Sequence, residues 1–300
     1  MYENIYLPLD NSEHSNVAAE LGLDLAKILG SQVIGSHAYA AALHDVRFKQ
    51  MEFTLPDEYK VEGELEKQRR IHDSLITRGL VLISDSYLVR WSKRAEELGV
   101  EFSGKRFDGK NFQVIVEDIE ASNYDLVVLG ALGQGAVRDS EAGSVCERVL
   151  RRIRVDSWII RDVESASEEA KGAKGGAVVA CLDGSRHSFG GLRSAIELAK
   201  SYNKHLDLVT VGSLPSNGND WLDAAWKHAQ DQGVVASSIR LTGRPVASLI
   251  EYAERTGAWL LVAGRLGADG DDSMDIGSTT ERLIRRAPCN VFVSNRPVDL

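Results

Sequence analysis

The 300-residue chain is predicted to be an α/β protein of two tandem doubly wound domains, each a five-stranded parallel sheet with helices on both faces. Three observations predict it. Ten short apolar runs alternate with helical patterns along the chain. The two halves of the sequence match one another in two ungapped blocks. The same glycine spacing also follows the fourth apolar run of each half.

In the first half the strands are expected near 4–9, 32–38, 100–105, 125–130 and 157–161; in the second, near 177–182, 206–211, 236–241, 258–263 and 290–294. Between them run helical stretches such as Leu192, Ile196, Leu198 and Ala199. Strands separated by helices of roughly 10–15 residues argue for a parallel sheet covered on both sides. Ligands in such sheets bind beyond the carboxyl ends of the strands, where the winding direction reverses.

The first matching block sets Asp10 on Asp183, 173 residues later, and carries Leu9, Ser12, His14, Ser15, Leu25, Ala26 and Lys27 onto identical residues. The second sets Gly109 on Gly243, 134 residues later, and includes Glu147, Arg148, Arg151 and Arg152 on Glu281, Arg282, Arg285 and Arg286. The offsets differ by 39 residues, so the first copy carries an insertion at about 41–80. The polar stretch from Asp162 to Gly175 lacks apolar periodicity and reads as a linker. The expected organisation is domain one at 1–162, a linker at 163–174 and domain two at 175–300.

An apolar share of 43% and a charged share of 26% exclude disordered, collagen-like and coiled-coil descriptions of the whole chain. A net charge of −9 without basic runs argues against nucleic-acid and anionic-membrane partners, since phosphate neutralisation needs clustered Lys and Arg. The N-terminus lacks a basic, then apolar, signal pattern, and no apolar run approaches the roughly 18 residues of a membrane span. Cys146, Cys181 and Cys289 are odd in number and far apart, which fits reduced thiols. The expectation is a soluble, cytoplasmic protein.

The fourth strand of each half runs into a recurring motif. Gly130-Ala-Leu-Gly133 is followed, after nine intervening residues, by Gly143-Ser144, and Gly264-Arg-Leu-Gly267 likewise by Gly277-Ser278. Both read G-x2-G-x9-G-S. Glycines admit an anion close to backbone N–H groups, and the final pair opens a helix whose free N–H groups and dipole favour phosphate. Ser144 and Ser278 could donate hydroxyls to it. For one motif alone, a helix N-cap with turn glycines would be the simpler reading; two copies at one spacing shift the balance toward a ligand site.

On these motifs the chain resembles a tandem universal stress protein, with two UspA-like domains related to the adenine nucleotide α-hydrolase superfamily. The resemblance covers most of both halves and is weakest over 41–80. It implies a Rossmann-like fold, a stress-response role and ATP, AMP or ADP as ligand. By position, Asp10 would bond the ribose hydroxyls, with Pro8 and Leu9 lining the pocket. Ala38 and Leu129 would face the adenine and Gly130 the ribose, while Gly133, Gly143, Ser144 and Val145 would hold phosphates. The second site would comprise Asp183, Val211, Ala263, Gly264, Gly267, Gly277, Ser278 and Thr279. An aspartate closing a buried strand also serves as a turn former for the next helix, and the two readings stand level for Asp10. The fifth strand, an edge strand in this family, would pair the two copies as an intramolecular pseudo-dimer.

The copies are not expected to be equal. The first loop carries Arg138, Asp139 and Glu141; the second carries Asp269, Asp271, Asp272 and Asp275. Four carboxylates repel a phosphate chain unless Mg2+ bridges them, although a solvated acidic loop is the simpler reading. Domain one is thus the favoured nucleotide site. The insertion includes an apolar portion before Pro56, expected to cover the first pocket or meet another subunit, and a helical pattern of Ile71, Leu75, Leu82, Tyr87 and Trp91. A homodimer through it stays open. His44-Asp45 and His72-Asp73 form no recognised metal pattern, and His14 and His187 stand at equivalent helix starts near the phosphate end.

No nucleophile–base pattern is evident, and the loops lack the Gly-Lys-Ser/Thr ending of a P-loop. The first reading is therefore a nucleotide-binding regulatory protein. The alternatives are an interaction scaffold with empty pockets, or a slow ATPase or self-phosphorylating enzyme.

Overall fold

The computed structural model describes residues 2–134, 141–173, 175–212, 221–268, 270 and 275–300. The first half contributes β1 (Asn4–Pro8), α1 (Glu13–Leu29), β2 (Gln32–Tyr39), α2 (Ala41–Met51), α3 (Glu62–Leu98), β3 (Phe102–Asp108), α4 (Asn111–Glu120), β4 (Leu126–Gly130), α5 (Ser144–Arg152) and β5 (Asp156–Ile160). A short helix, α6 (Glu168–Lys171), precedes the second set: β6 (Val178–Cys181), α7 (Arg186–Ser201), β7 (Leu206–Val211), α8 (Trp221–Asp231), β8 (Ala236–Leu241), α9 (Pro245–Thr256), β9 (Leu260–Gly264), α10 (Ser278–Arg286) and β10 (Asn290–Ser294). All ten expected strands form, within two or three residues of the positions read from sequence.

They build one ten-stranded sheet in the order β3-β2-β1-β4-β5-β10-β9-β6-β7-β8. Neighbours are parallel within each half. The halves meet at β5 and β10, which pair antiparallel with Trp158 opposite Phe292. An edge strand thereby finds a partner and its backbone groups are satisfied. In each half the winding reverses between the first and fourth strands, β1 and β4 or β6 and β9, which places the switch point there.

Side-chain alternation splits the interior into two cores. Ile5, Leu7, Leu126, Val128, Trp158, Val178, Val262 and Phe292 face α1, α3, α7 and α8. Tyr6, Val127, Leu129, Ile159, Val179, Leu261 and Val291 face α4, α5, α9 and α10. Burial on both faces explains why the central strands read as continuous apolar runs. Trp158, Tyr202 and Trp259 form a ring cluster at the junction of the halves, with centroids 4.8 to 6.2 Å apart.

The stretch read as a linker is more ordered than its composition implied. Ser167 caps α6 by accepting from the Ala170 N–H. The buried Lys204 ammonium donates to the carbonyls of Ala170, Gly172, Gly175 and Gly176 at 2.6 to 3.3 Å and lies over the Trp259 ring. The order comes from a lysine far along the chain, which no local periodicity could reveal.

Four buried phenols set the alkaline limit of the fold. Burial raises Tyr2, Tyr6, Tyr202 and Tyr252 above the ordinary phenol value of 10.0. A group raised on folding contributes its full stability below its unfolded value and loses it as pH climbs toward the folded one. Stability should therefore fall as pH rises above 10.0. Circular dichroism and tyrosinate absorbance should change together in that range. Ionisation of these phenols well before loss of secondary structure would refute the assignment.

Candidate functional site

The aspartate closing the first strand does the same work in both halves. Asp10 accepts from the Ser12 N–H at 3.0 Å through one oxygen and from the Gln134 N–H at 3.1 Å through the other. Asp183 accepts from Ser185 at 3.0 Å and from Ala268 at 3.0 Å. One oxygen thus forms the turn into the next helix, and the other ties that turn to the loop after the fourth strand. The turn-forming role is realised in both copies. The residue following the aspartate has φ 60 (Asn11) or 82 (Gly184), a left-handed geometry that Asn and Gly tolerate.

Gly133 and Gly267 permit the tie. A Cβ on Gly133 would stand 2.5 Å from Asp10 Oδ2, and one on Gly267 would stand 2.9 Å from Asp183 Oδ2. Ser12 and Ser185 then cap α1 and α7, accepting from the Ser15 and Ser188 N–H groups. Ser12 also donates to the Leu132 carbonyl at 3.2 Å, a second link between turn and loop.

Each loop closes with the same backbone bond, from the Gly143 N–H to the Ala131 carbonyl at 2.7 Å and from Gly277 to Arg265 at 2.9 Å. Gly143 and Gly277 are the N-caps of α5 and α10, and among the described residues no side chain caps either helix. Ser144 and Ser278 are the first helical residues and are exposed rather than N-capping. Among the described residues the first-turn N–H groups thus have no side-chain acceptor, so each helix keeps its anion-attracting end.

Around these loops lie Pro8 at the end of β1, Leu9 directly after it, Ala38 near the end of β2, and Leu129 and Gly130 at the end of β4. Leu9 and Leu129 are buried, Pro8, Ala38 and Gly130 half-buried, and Val145 exposed. Gly130 lies against the His14 and Ser15 backbone. In the second half Val211 ends β7, Ala263 and Gly264 end β9, and Thr279 lies in the first turn of α10. Burial lowers the His14 and His37 imidazoles below their ordinary range, so both are neutral at pH 7. Cys146, in the first turn of α5, is pushed up to about 12 by burial and is no thiolate nucleophile.

The halves differ in what covers the first turn. Over Gly184 lies the Trp221 indole, close enough that a Cβ there would be 3.0 Å from Nε1. In the first half Arg90 from α3 donates instead to Asn11 Oδ1 at 3.3 Å. Asp183 is exposed and Asp10 half-buried. Arg138, Asp139, Asp269, Asp271 and Asp272, which carried most of the expected charge contrast, lie outside the described residues. The remaining two acids are paired across the halves: Glu141 with Arg286 at 3.1 Å and Asp275 with Arg154 at 4.0 Å.

Those pairs belong to a reciprocal set that sequence reading missed. Arg265 is buried and donates to the Leu150, Arg151 and Ile153 carbonyls at the end of α5. Arg161 donates to the Ile284 and Ala287 carbonyls at the end of α10 and to the Glu141 carbonyl. Arg285 pairs with Glu147, and Arg151 with Glu281. Each loop and its helix are thus held by cations of the other half. A signal was available: Arg265 stands where the first copy has Ala131, a charged residue directly after a buried strand.

The other sequence candidates give less. His72 stacks on Phe48 at 4.2 Å, where α2 lies against α3. Among the described residues no three metal-ligating side chains converge, and no helix is long and apolar enough to cross a membrane.

Comparison with known proteins gives the family. A model described as the universal stress protein family matches residues 1–161 and 219–295. Universal stress protein Rv1996 of Mycobacterium tuberculosis is 24% identical over 268 residues, covering 81% of each chain. Universal stress protein MJ0531 of Methanocaldococcus jannaschii is 30% identical over 139 residues, 40% of this chain and 82% of that one. A universal stress protein structure from Archaeoglobus fulgidus shares the fold, with a TM-score of 0.67 at 20% identity and 97% coverage of both chains. The loops built from the repeated glycines and strand-end aspartates thus belong to a chain that is a member of the universal stress protein family.

Proposed function

We propose that the protein is a regulatory binder of adenine nucleotides, ATP, ADP or AMP, whose main site is the loop cluster of the first half. The observation that carries this reading is the combination of an uncapped α5 N-terminus with a loop drawn toward Asp10 by the Gln134 N–H bond. Backbone N–H groups of Ser144 and Val145 would take phosphates at the turn that Gly143 closes through its own bond to Ala131, aided by Gly133 and the Ser144 hydroxyl. Ala38 and Leu129 would receive the base, and Gly130 and the open face of Asp10 the ribose, beside Pro8 and Leu9. A nucleotide there would compete for the aspartate with the turn it already forms.

The second site repeats the geometry under less favourable conditions. The Trp221 indole lies over its first turn, its aspartate is exposed, and Arg265 commits its charge to the other half. Mg2+ would belong to a nucleotide held near Asp275 rather than to a resident metal site. We also place the domain limits at 1–162 and 175–300.

The test is calorimetric titration of the full chain with ATP, with and without Mg2+, alongside analysis of small molecules released on denaturation. One nucleotide per chain, bound without metal, is the expected result. Two equivalent sites would remove the preference for the first half. A chain that releases no nucleotide and ignores ATP would favour an interaction scaffold.

A further inference from the structure

Ten of the fifteen large apolar side chains exposed among the described residues lie between 41 and 98. This segment is the α2–α3 hairpin, and it shares no residue with the loops above. Helix α3 spans 37 residues, yet its buried side chains are only Ser84, Leu88, Trp91 and Ala95, all in its C-terminal part. Those four follow helical spacing and face the sheet.

On the opposite side runs a second stripe. Leu75, Leu82 and Val89 recur every seven residues and are 64%, 69% and 50% exposed, with Ile71 in line at 45%. At 100° per residue they occupy a band about 40° wide, whose centre lies about 150° from the centre of the buried stripe. Leucines at seven-residue spacing on the outer face of a straight helix form a seam for another helix. Solvent is a costly environment for them.

We propose that this face is a self-association surface, on which α3 of a second copy packs antiparallel across a two-fold axis near Leu82. The charges beside the seam select that occupant. Leu75 and Val89 are symmetric about residue 82, and the flanking Arg78 and Asp85 are symmetric about a point half a residue away. An antiparallel two-fold therefore brings Leu75 to Val89, Leu82 to Leu82 and Arg78 to Asp85 at once, twice over. A parallel pair would oppose Arg78 to Arg78 and Asp85 to Asp85. Arg78 is exposed and forms no ion pair among the described residues. Asp85 accepts from Arg106 at 2.9 Å and keeps lone pairs for a second donor.

Sedimentation equilibrium of the full chain tests this. The expected result is a dimer for the native chain and a folded monomer for Leu75→Glu with Leu82→Glu, an affinity loss of about 100-fold or more. Both side chains are exposed, so circular dichroism should not change. Arg78→Asp alone should weaken the dimer, and Arg78→Asp with Asp85→Arg should restore it. A native chain that stays monomeric at about 100 μM, or a dimer that survives the double glutamate variant, overturns the proposal.

Discussion

Arg265→Ala is expected to lower the free energy of unfolding by about 3 kcal/mol. The guanidinium lies in the interior and donates to three carbonyls at 2.9, 3.1 and 3.2 Å, all at the end of α5 in the other half. Truncation removes these charge-assisted bonds and leaves helix-terminal carbonyls without donors. Part of the loss is offset because burial opposes the charge, holding Arg265 down at about 10. Arg265→Met, which keeps the stem, should recover part of the packing but not the bonds. Denaturant unfolding measures both; a loss under about 1 kcal/mol for the alanine variant would show that water replaces the guanidinium without cost.

The second large effect concerns ligand binding and depends on the proposed function. Gly133→Ala should weaken ATP binding about 10- to 100-fold, the range of one lost charge-assisted hydrogen bond. The new Cβ would stand 2.5 Å from Asp10 Oδ2, so the carboxylate must move and release the Gln134 N–H. The loop and the α5 N-terminus lose their common anchor. Gly267→Ala makes the corresponding contact with Asp183 at 2.9 Å and should leave the main binding event unchanged. Calorimetry of the two variants side by side decides. Equal losses would mean that both halves bind, and no loss in either would place the nucleotide elsewhere.

Much of the fold was legible because its signals are local. Central strands buried on both faces must be apolar throughout, so Ile5–Leu9 and Val178–Leu182 stand out without tertiary knowledge. Ser12 and Ser185 announce helix starts by residue type, and the repeat reinforces each weak signal with a second copy. The aspartates were harder. Asp10 read equally well as turn former or ligand contact, and only the fold placed the Gln134 N–H on its second oxygen. The linker was underestimated because its order depends on Lys204, some thirty residues downstream.

The sequence by itself determined two copies of a five-stranded α/β unit, an insertion in the first, and glycine loops at the strand ends where such sheets bind ligands. Periodicity and glycine spacing are properties of neighbouring residues, and so are visible along the chain. The family resemblance already placed the fifth strands where the copies meet; the tertiary structure alone decided the antiparallel register of β5 on β10 and how Arg161 and Arg265 exchange helix ends across that seam. It also set Trp221 over one first turn and Arg90 beside the other. Those contacts join residues up to 136 positions apart, and a buried charge chooses its acceptors by geometry in space rather than by order in the chain.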